Sequence, residues 1–210
     1  MDLICVDMYN TLIASNKPHI LAYNKAFKKN KLKKIPAKKI KEYFGLTGIE
    51  IVRNLFPNLN KNQIIKIVND HDYFLLNETK KDLRPFKGVK RTLNILKKKY
   101  KLVLISNCKH KEVVAVLKQT KFNKNLFYGL IACDDVKRPK PYPDEIFKAE
   151  KLVHQKVNFL IGDSIYDIRA GKKARVKTIA VLTGNHTKAQ LRKENPDYIF
   201  KNFNEVLKIL

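Results

Sequence analysis

The sequence predicts an α/β fold, a doubly wound parallel sheet core with a small inserted α-helical cap, and three observations predict it. Short apolar runs rich in β-branched residues, at 3–6, 102–105, 159–161 and 178–182, alternate with amphipathic helical stretches. Several of these runs stop at polar residues, which gathers chemistry at one edge of such a sheet. One block, about 15–81, keeps helical spacing throughout and carries no strand signal, so it reads as an insert between the first strand and the next βα unit.

In order, the chain opens on a buried strand ending at Asp7. Asn10 follows where the backbone must turn, and Asn is one of the few residues that tolerates the left-handed region. Ile20, Leu21, Tyr23 and Phe27 then form one helical face, and Pro36 breaks the chain before Ile40, Tyr43 and Phe44. Gly45 and Gly48 allow a turn, after which Ile49, Val52, Leu55 and Phe56 resume the spacing as far as Pro57. Residues 64–76 continue it, and Arg84-Pro85-Phe86 with Gly88 marks a boundary and a hinge. Beyond Gly88 the alternation is regular: a helix on Val89, Leu93 and Leu96, a strand at 102–105, a helix on Val113, Val114 and Leu117. A short strand at 130–132, a helix at 146–153, a strand at 159–162 and a helix at 165–173 come next. A strand at 178–182, a strand at 198–200 and a closing helix at 203–210 finish the chain. The expected division is an α/β core of 1–14 and 82–210, with the helical cap at 15–81.

At 210 residues and 44% hydrophobic, the chain is long enough to bury a sizeable core. No apolar run approaches the roughly 20 residues of a membrane span, and an N-terminus that enters a strand at once does not resemble a signal peptide. Cys5, Cys108 and Cys133 show no metal-ligand spacing and read as reduced thiols, which points to a cytoplasmic protein. The net charge of +25 makes a nucleic-acid partner conceivable. However, the charge is mostly Lys, is spread over every segment and lacks the interleaved aromatics of a base-stacking surface, so a solvated basic surface is the better reading.

The polar residues at the expected sheet edge are Asp7, then Ser106-Asn107, then Lys140, then Asp163 with Asp167. Phosphoryl transfer needs those parts: a nucleophile, hydrogen-bond donors, a cation, and carboxylates for Mg²⁺. Singly each has a plainer role, Ser106-Asn107 as a helix cap, Lys140 as a solvated charge, Asp163 and Asp167 as strand-end and helix acids. Order and spacing together favour the catalytic reading. The chain resembles the haloacid dehalogenase-like (HAD) hydrolase superfamily, phosphoglycolate phosphatase-like members with a helical cap after the first motif. Asp7-Met8-Tyr9-Asn10-Thr11 follows the family's Asp-x-Asp-Gly-Thr, Ser106-Asn107 its second motif, Lys140-Pro141-Tyr142-Pro143 its third, and Gly162-Asp163-Ser164-Ile165-Tyr166-Asp167 its fourth. The resemblance implies a Rossmann-like core and a Mg²⁺-dependent phosphohydrolase acting on a small phosphorylated metabolite. By it, Asp7 attacks phosphorus, while Thr11, Ser106, Asn107 and Lys140 hold the phosphoryl group. Asp7, the Tyr9 backbone carbonyl, Asp163 and Asp167 surround Mg²⁺, and the cap gates the site. Monomer and homodimer both remain open.

The first motif departs from the pattern at Tyr9, where phosphatases of the family carry a general acid and base. A positioned proton donor is worth on the order of 10²–10⁴ in rate, and a phenol with a reference pKa of about 10 is a poor substitute at neutral pH. The expected activity is therefore slow or restricted to good leaving groups. Tyr at this position also occurs in the metal-independent 2-haloacid dehalogenase branch, where a halide leaves without a proton. Against that alternative, Asp163 and Asp167 beside Asp7 repel one another unless a cation is present. A weakly active binding or regulatory protein on the same scaffold is the third reading.

Overall fold

The computed structural model describes residues 1–210, the side chain of Lys124 apart. A six-stranded parallel sheet runs in the order β5 (Gly129–Ala132), β4 (Tyr100–Ser106), β1 (Asp2–Asp7), β6 (Val157–Gly162), β7 (Lys177–Val181), β8 (Tyr198–Phe200). The chain steps outward from β1 through β4 to β5, then crosses back to β6 on the other side of β1. Strand order therefore reverses at β1, and crevices open at such a reversal, beyond the carboxyl ends of the strands.

The alternation along the central strands explains why both faces are covered. Ile4 and Val6 of β1, with Leu102 and Leu104 of β4, pack with α5 (Val89–Leu96) and α6 (His110–Gln119). Leu3 and Cys5, with Val103 and Ile105, face the opposite way, towards α7 (Asp144–Val153) and α8 (Ile165–Ala174). Strands buried on both faces are apolar without a break, and this is why they read so clearly in the sequence.

Between the first strand and α5 lie α1 (Asn16–Lys29), α2 (Ala37–Lys41), α3 (Gly48–Leu55) and α4 (Lys61–Phe74). They close around a hydrophobic cluster of their own, centred on Tyr23, Phe27, Ile40, Val52 and Ile67. Three details differ from the sequence reading. Just outside the 15–81 block, β2 (Ile13–Ala14) pairs antiparallel with β3 (Arg84–Pro85), a pairing the sequence did not show, and ties together the two crossings between insert and core. Two-residue strands are too short for any alternation to show. α9 (Lys188–Lys193) is an extra helix, with a Thr187–Gln190 capping box and a single fully buried apolar residue, Leu191. The closing segment Phe203–Lys208 is a 3₁₀ helix rather than an α-helix. Among the described residues, no helix is long and apolar enough to cross a membrane.

Candidate active site

The site begins where β1 ends. After Asp7 the chain makes a tight loop closed by hydrogen bonds from the Leu12 and Ile13 amides to the Met8 carbonyl, 2.9 and 3.1 Å. Asn10 has φ +56°, the left-handed turn expected of it. Its side chain does what a glycine could not. Oδ1 lies 3.3 Å from the Ser15 hydroxyl, and Nδ2 donates to Asn16 Oδ1 at 3.1 Å. Its carbonyl accepts from Thr183 Oγ1, which binds this loop to the one following β7.

β1, β4 and β6 are neighbours, so their ends bring Asp7, Ser106 and Asp163 together. The Thr11 hydroxyl sits 3.1 Å from Asp7 Oδ2 and 3.0 Å from Asp163 Oδ1. Lys140 enters from the loop before α7 and is 2% exposed; its Nζ donates to Asp7 Oδ1 at 2.6 Å and to Asp167 Oδ1 at 2.7 Å. Asp167 is held by a capping box at the start of α8, where the Ser164 hydroxyl donates to its Oδ2 at 2.6 Å. Glycines permit this crowding. A Cβ at Gly162 would overlap the Asp167 carboxylate, and one at Gly184 the Asp163 carboxylate.

The charges follow from the burial. Burial raises the Asp7 carboxyl to about 6, with Asp167 adding to the rise and Lys140 opposing it. Asp163 is pushed well above the usual carboxylate range by burial and then by Asp7 and Asp167. Burial works against the Lys140 ammonium, yet Asp167, Asp7 and Glu145 together hold it well above its ordinary value. One ammonium faces three carboxylates, so the group lacks positive charge. Oxygen atoms of Asp7, Asp163 and Asp167 lie within 4.8 Å of one another, an all-oxygen donor set that suits a hard divalent cation.

Two residues stand differently from expectation. The Tyr9 hydroxyl donates to Glu112 Oε1 at 2.8 Å, so it is committed to α6. Burial and the Glu112 charge hold the phenol well above its normal pKa. The Asn107 amide donates to the Gly45 carbonyl at 2.7 Å and the Lys140 carbonyl at 2.8 Å, which spends both of its N–H groups on backbone. Sequence reasoning missed Glu145, fully buried, whose Oε2 accepts from the Lys140 amide at 2.9 Å. It also missed the pair His19 and His71, joined Nδ1 to Nε2 at 3.0 Å, with Asp72 beyond and Lys109 bonded to Asp72 at 2.8 Å. Isolated acids and histidines on helices carry no spacing signal, and nothing in the sequence singled these out.

Asp7, Tyr9, His19, His71, Ser106, Asn107, Lys140, Asp163 and Asp167, though not Thr11 or Glu145, line a cavity of about 440 Å³ between the sheet edge and the helical insert. A sequence model described as haloacid dehalogenase-like hydrolase matches residues 4–181. The chain is 26% identical over 162 residues to pyrophosphatase PpaX of Bacillus mycoides, covering 76% of this chain and 75% of that one. In three dimensions it resembles a hydrolase from Pseudomonas syringae, with a TM-score of 0.88 at 19% identity over 99% of this chain and 97% of that one. It also resembles a predicted phosphoglycolate phosphatase from Haemophilus somnus, with a TM-score of 0.84 at 21% identity over 100% and 97%.

Proposed function

The chain belongs to the haloacid dehalogenase-like hydrolase family, and from that premise we propose that it is a Mg²⁺-dependent phosphohydrolase using Asp7 as nucleophile on a small phosphorylated compound. The observation that carries this reading is the deficit of positive charge around Asp7, Asp163 and Asp167, which a divalent cation and a phosphoryl group together would balance. The 2-haloacid dehalogenase alternative leaves that deficit standing. A pyrophosphatase among the relatives is in keeping with phosphorus as the electrophile.

Asp7, Asp163 and Asp167, with the Tyr9 carbonyl, would hold Mg²⁺, which when bound neutralises phosphoryl oxygens and orients them. An Asp7 oxygen attacks phosphorus, and the bond to the leaving oxygen breaks. Lys140 holds Asp7 against rotation and, with Ser106 and the backbone after it, receives the negative charge of the transferring group. Water then attacks the phosphorus of the aspartyl-phosphate, releasing orthophosphate and restoring the carboxylate. Residues 15–81 act as the cap, shielding that intermediate from bulk water, with β2 and β3 as the hinge. Three free thiols suit a cytoplasmic setting.

The test is phosphate release from p-nitrophenyl phosphate and from an unactivated alkyl phosphate, with Mg²⁺ and with excess chelator, for wild type, Asp7→Asn and Tyr9→Asp. Turnover should require Mg²⁺, vanish in Asp7→Asn, and rise for unactivated alkyl phosphates by about 10² or more in Tyr9→Asp. Release of halide from 2-haloacids without metal, and of no phosphate, would transfer the protein to the dehalogenase branch.

A further inference from the structure

Part of the cavity lining is a run of rings packed on one another. Tyr23 lies on His71 with centroids 3.9 Å apart, His71 on His19 at 5.2 Å, and His19 meets Tyr9 edge-on at 4.5 Å. Phe44 closes the row at 5.8 Å from His19. All five line the cavity.

The side-chain charges lining the cavity are already engaged. Among the described residues, Lys109 and Lys140 are the ammonium groups lining the cavity. Lys140 is bound to Asp7 and Asp167, and Lys109 to Asp72 and Asn69, both at 2.8 Å. The acids are engaged as well. Glu112 accepts from Tyr9, Glu50 from the Thr47 hydroxyl at 2.7 Å, and Asp134 from the His110 amide at 2.8 Å. A second anionic group on a substrate would find no free cation here and several carboxylates close by. An uncharged ring would instead meet a wall of aromatic and aliphatic side chains, His19, Tyr23, Phe44, Ile49 and Val68 among them, that asks for no counter-charge.

The proton balance of the reaction points the same way. With the Tyr9 hydroxyl tied to Glu112, nothing at the position of the family's general acid delivers a proton to the leaving oxygen. The leaving group must depart as an anion, which a phenolate does far more readily than an alkoxide.

Resting on the phosphohydrolase reading, we propose that the substrates are monophosphate esters of uncharged aromatic alcohols of the phenol type, and that pyrophosphate and phosphorylated carboxylic acids are disfavoured. Asp7 forms the new oxygen–phosphorus bond as the phosphorus–aryloxygen bond breaks. The electron pair leaves on the phenolate, which takes its proton from solvent. Water then attacks phosphorus, loses a proton to solvent and frees orthophosphate from Asp7.

The experiment compares kcat/KM for p-nitrophenyl phosphate with pyrophosphate, and for phenyl phosphate with 2-phosphoglycolate, in wild type and Ile49→Lys at fixed Mg²⁺. The pyrophosphate pair matters because its leaving group is also good, so any preference reports the wall rather than leaving-group reactivity. Ile49 lines the cavity and is 39% exposed, so a lysine there adds a free ammonium without burying one. The aryl esters should lead by about tenfold or more in each pair, and Ile49→Lys should shrink both ratios. Pyrophosphate or phosphoglycolate turned over faster than its aryl partner would overturn this proposal and leave the phosphohydrolase standing. Silence towards all four, with Asp7→Asn indistinguishable from wild type, would overturn both.

Discussion

Tyr9 poses the sharpest question at the scale of single residues. Its ring stands where a proton donor is expected, but its hydroxyl serves Glu112, a carboxyl raised by burial and by Asp72. A side chain that donates to a neighbouring helix is a positioning group. Tyr9→Phe should therefore keep kcat/KM for aryl phosphates within about threefold, while lowering stability by about 1–2 kcal/mol because Glu112 loses its partner. Were the hydroxyl a proton donor, kcat would fall by about 10² or more instead. Activity assays and urea denaturation on the same preparations separate the two. Asp7, Lys140, Asp163 and Asp167 were legible in the sequence because they sit at strand ends, in a patterned loop or, for Asp167, at fixed spacing in the first turn of the following helix. Glu145 was not, since a buried acid bracing a lysine backbone looks in sequence like any acid near a helix start.

At the scale of elements, the short helices act as holders for charged groups. α8 begins with Ser164, whose hydroxyl and amide both bind Asp167 Oδ2, leaving Oδ1 to face Lys140. One capping box thus fixes both the helix start and the orientation of a site carboxylate. Ser164→Ala should cost about 1 kcal/mol in stability, the ordinary value of a cap. It should also raise the Mg²⁺ concentration needed for half-maximal activity, because Asp167 gains freedom to turn; a Mg²⁺ titration beside a thermal melt checks both. Gly184→Ala tests the neighbouring loop. Its Cβ would overlap the buried Asp163 side chain, so activity should fall by tenfold or more and stability by about 1–3 kcal/mol, read by the same pair of measurements. The strands were legible because burial on both faces leaves them apolar without interruption. β2, β3 and α9 were not, because two-residue pairings and a helix with a single buried anchor carry too little pattern.

Over the whole molecule, the high positive charge is a property of the surface and the electrostatic tension lies in the interior. Glu145 shows its sign. Burial raises it from 4.5 to about 7, against the pull of Lys140. Below about pH 4.5 it is protonated in folded and unfolded chains alike. As pH rises towards 7 the unfolded chain ionises first, so the folded state loses stability through that window. His19 and His186, with lowered pKa values, act in the opposite sense over part of the same range, so the test is a difference. The stability of Glu145→Gln relative to wild type should rise by on the order of 3 kcal/mol between about pH 4.5 and pH 8, measured by urea denaturation. A flat difference would mean that Glu145 is ionised throughout. The Asn107 amide spans a longer distance in the architecture, holding Gly45 of the insert with one N–H and the Lys140 backbone with the other. For α1–α4 to swing away, that grip must break or the loop carrying Lys140 must follow. The seating of the insert and the placing of the loop that carries Lys140 therefore share one side chain, the Asn107 amide.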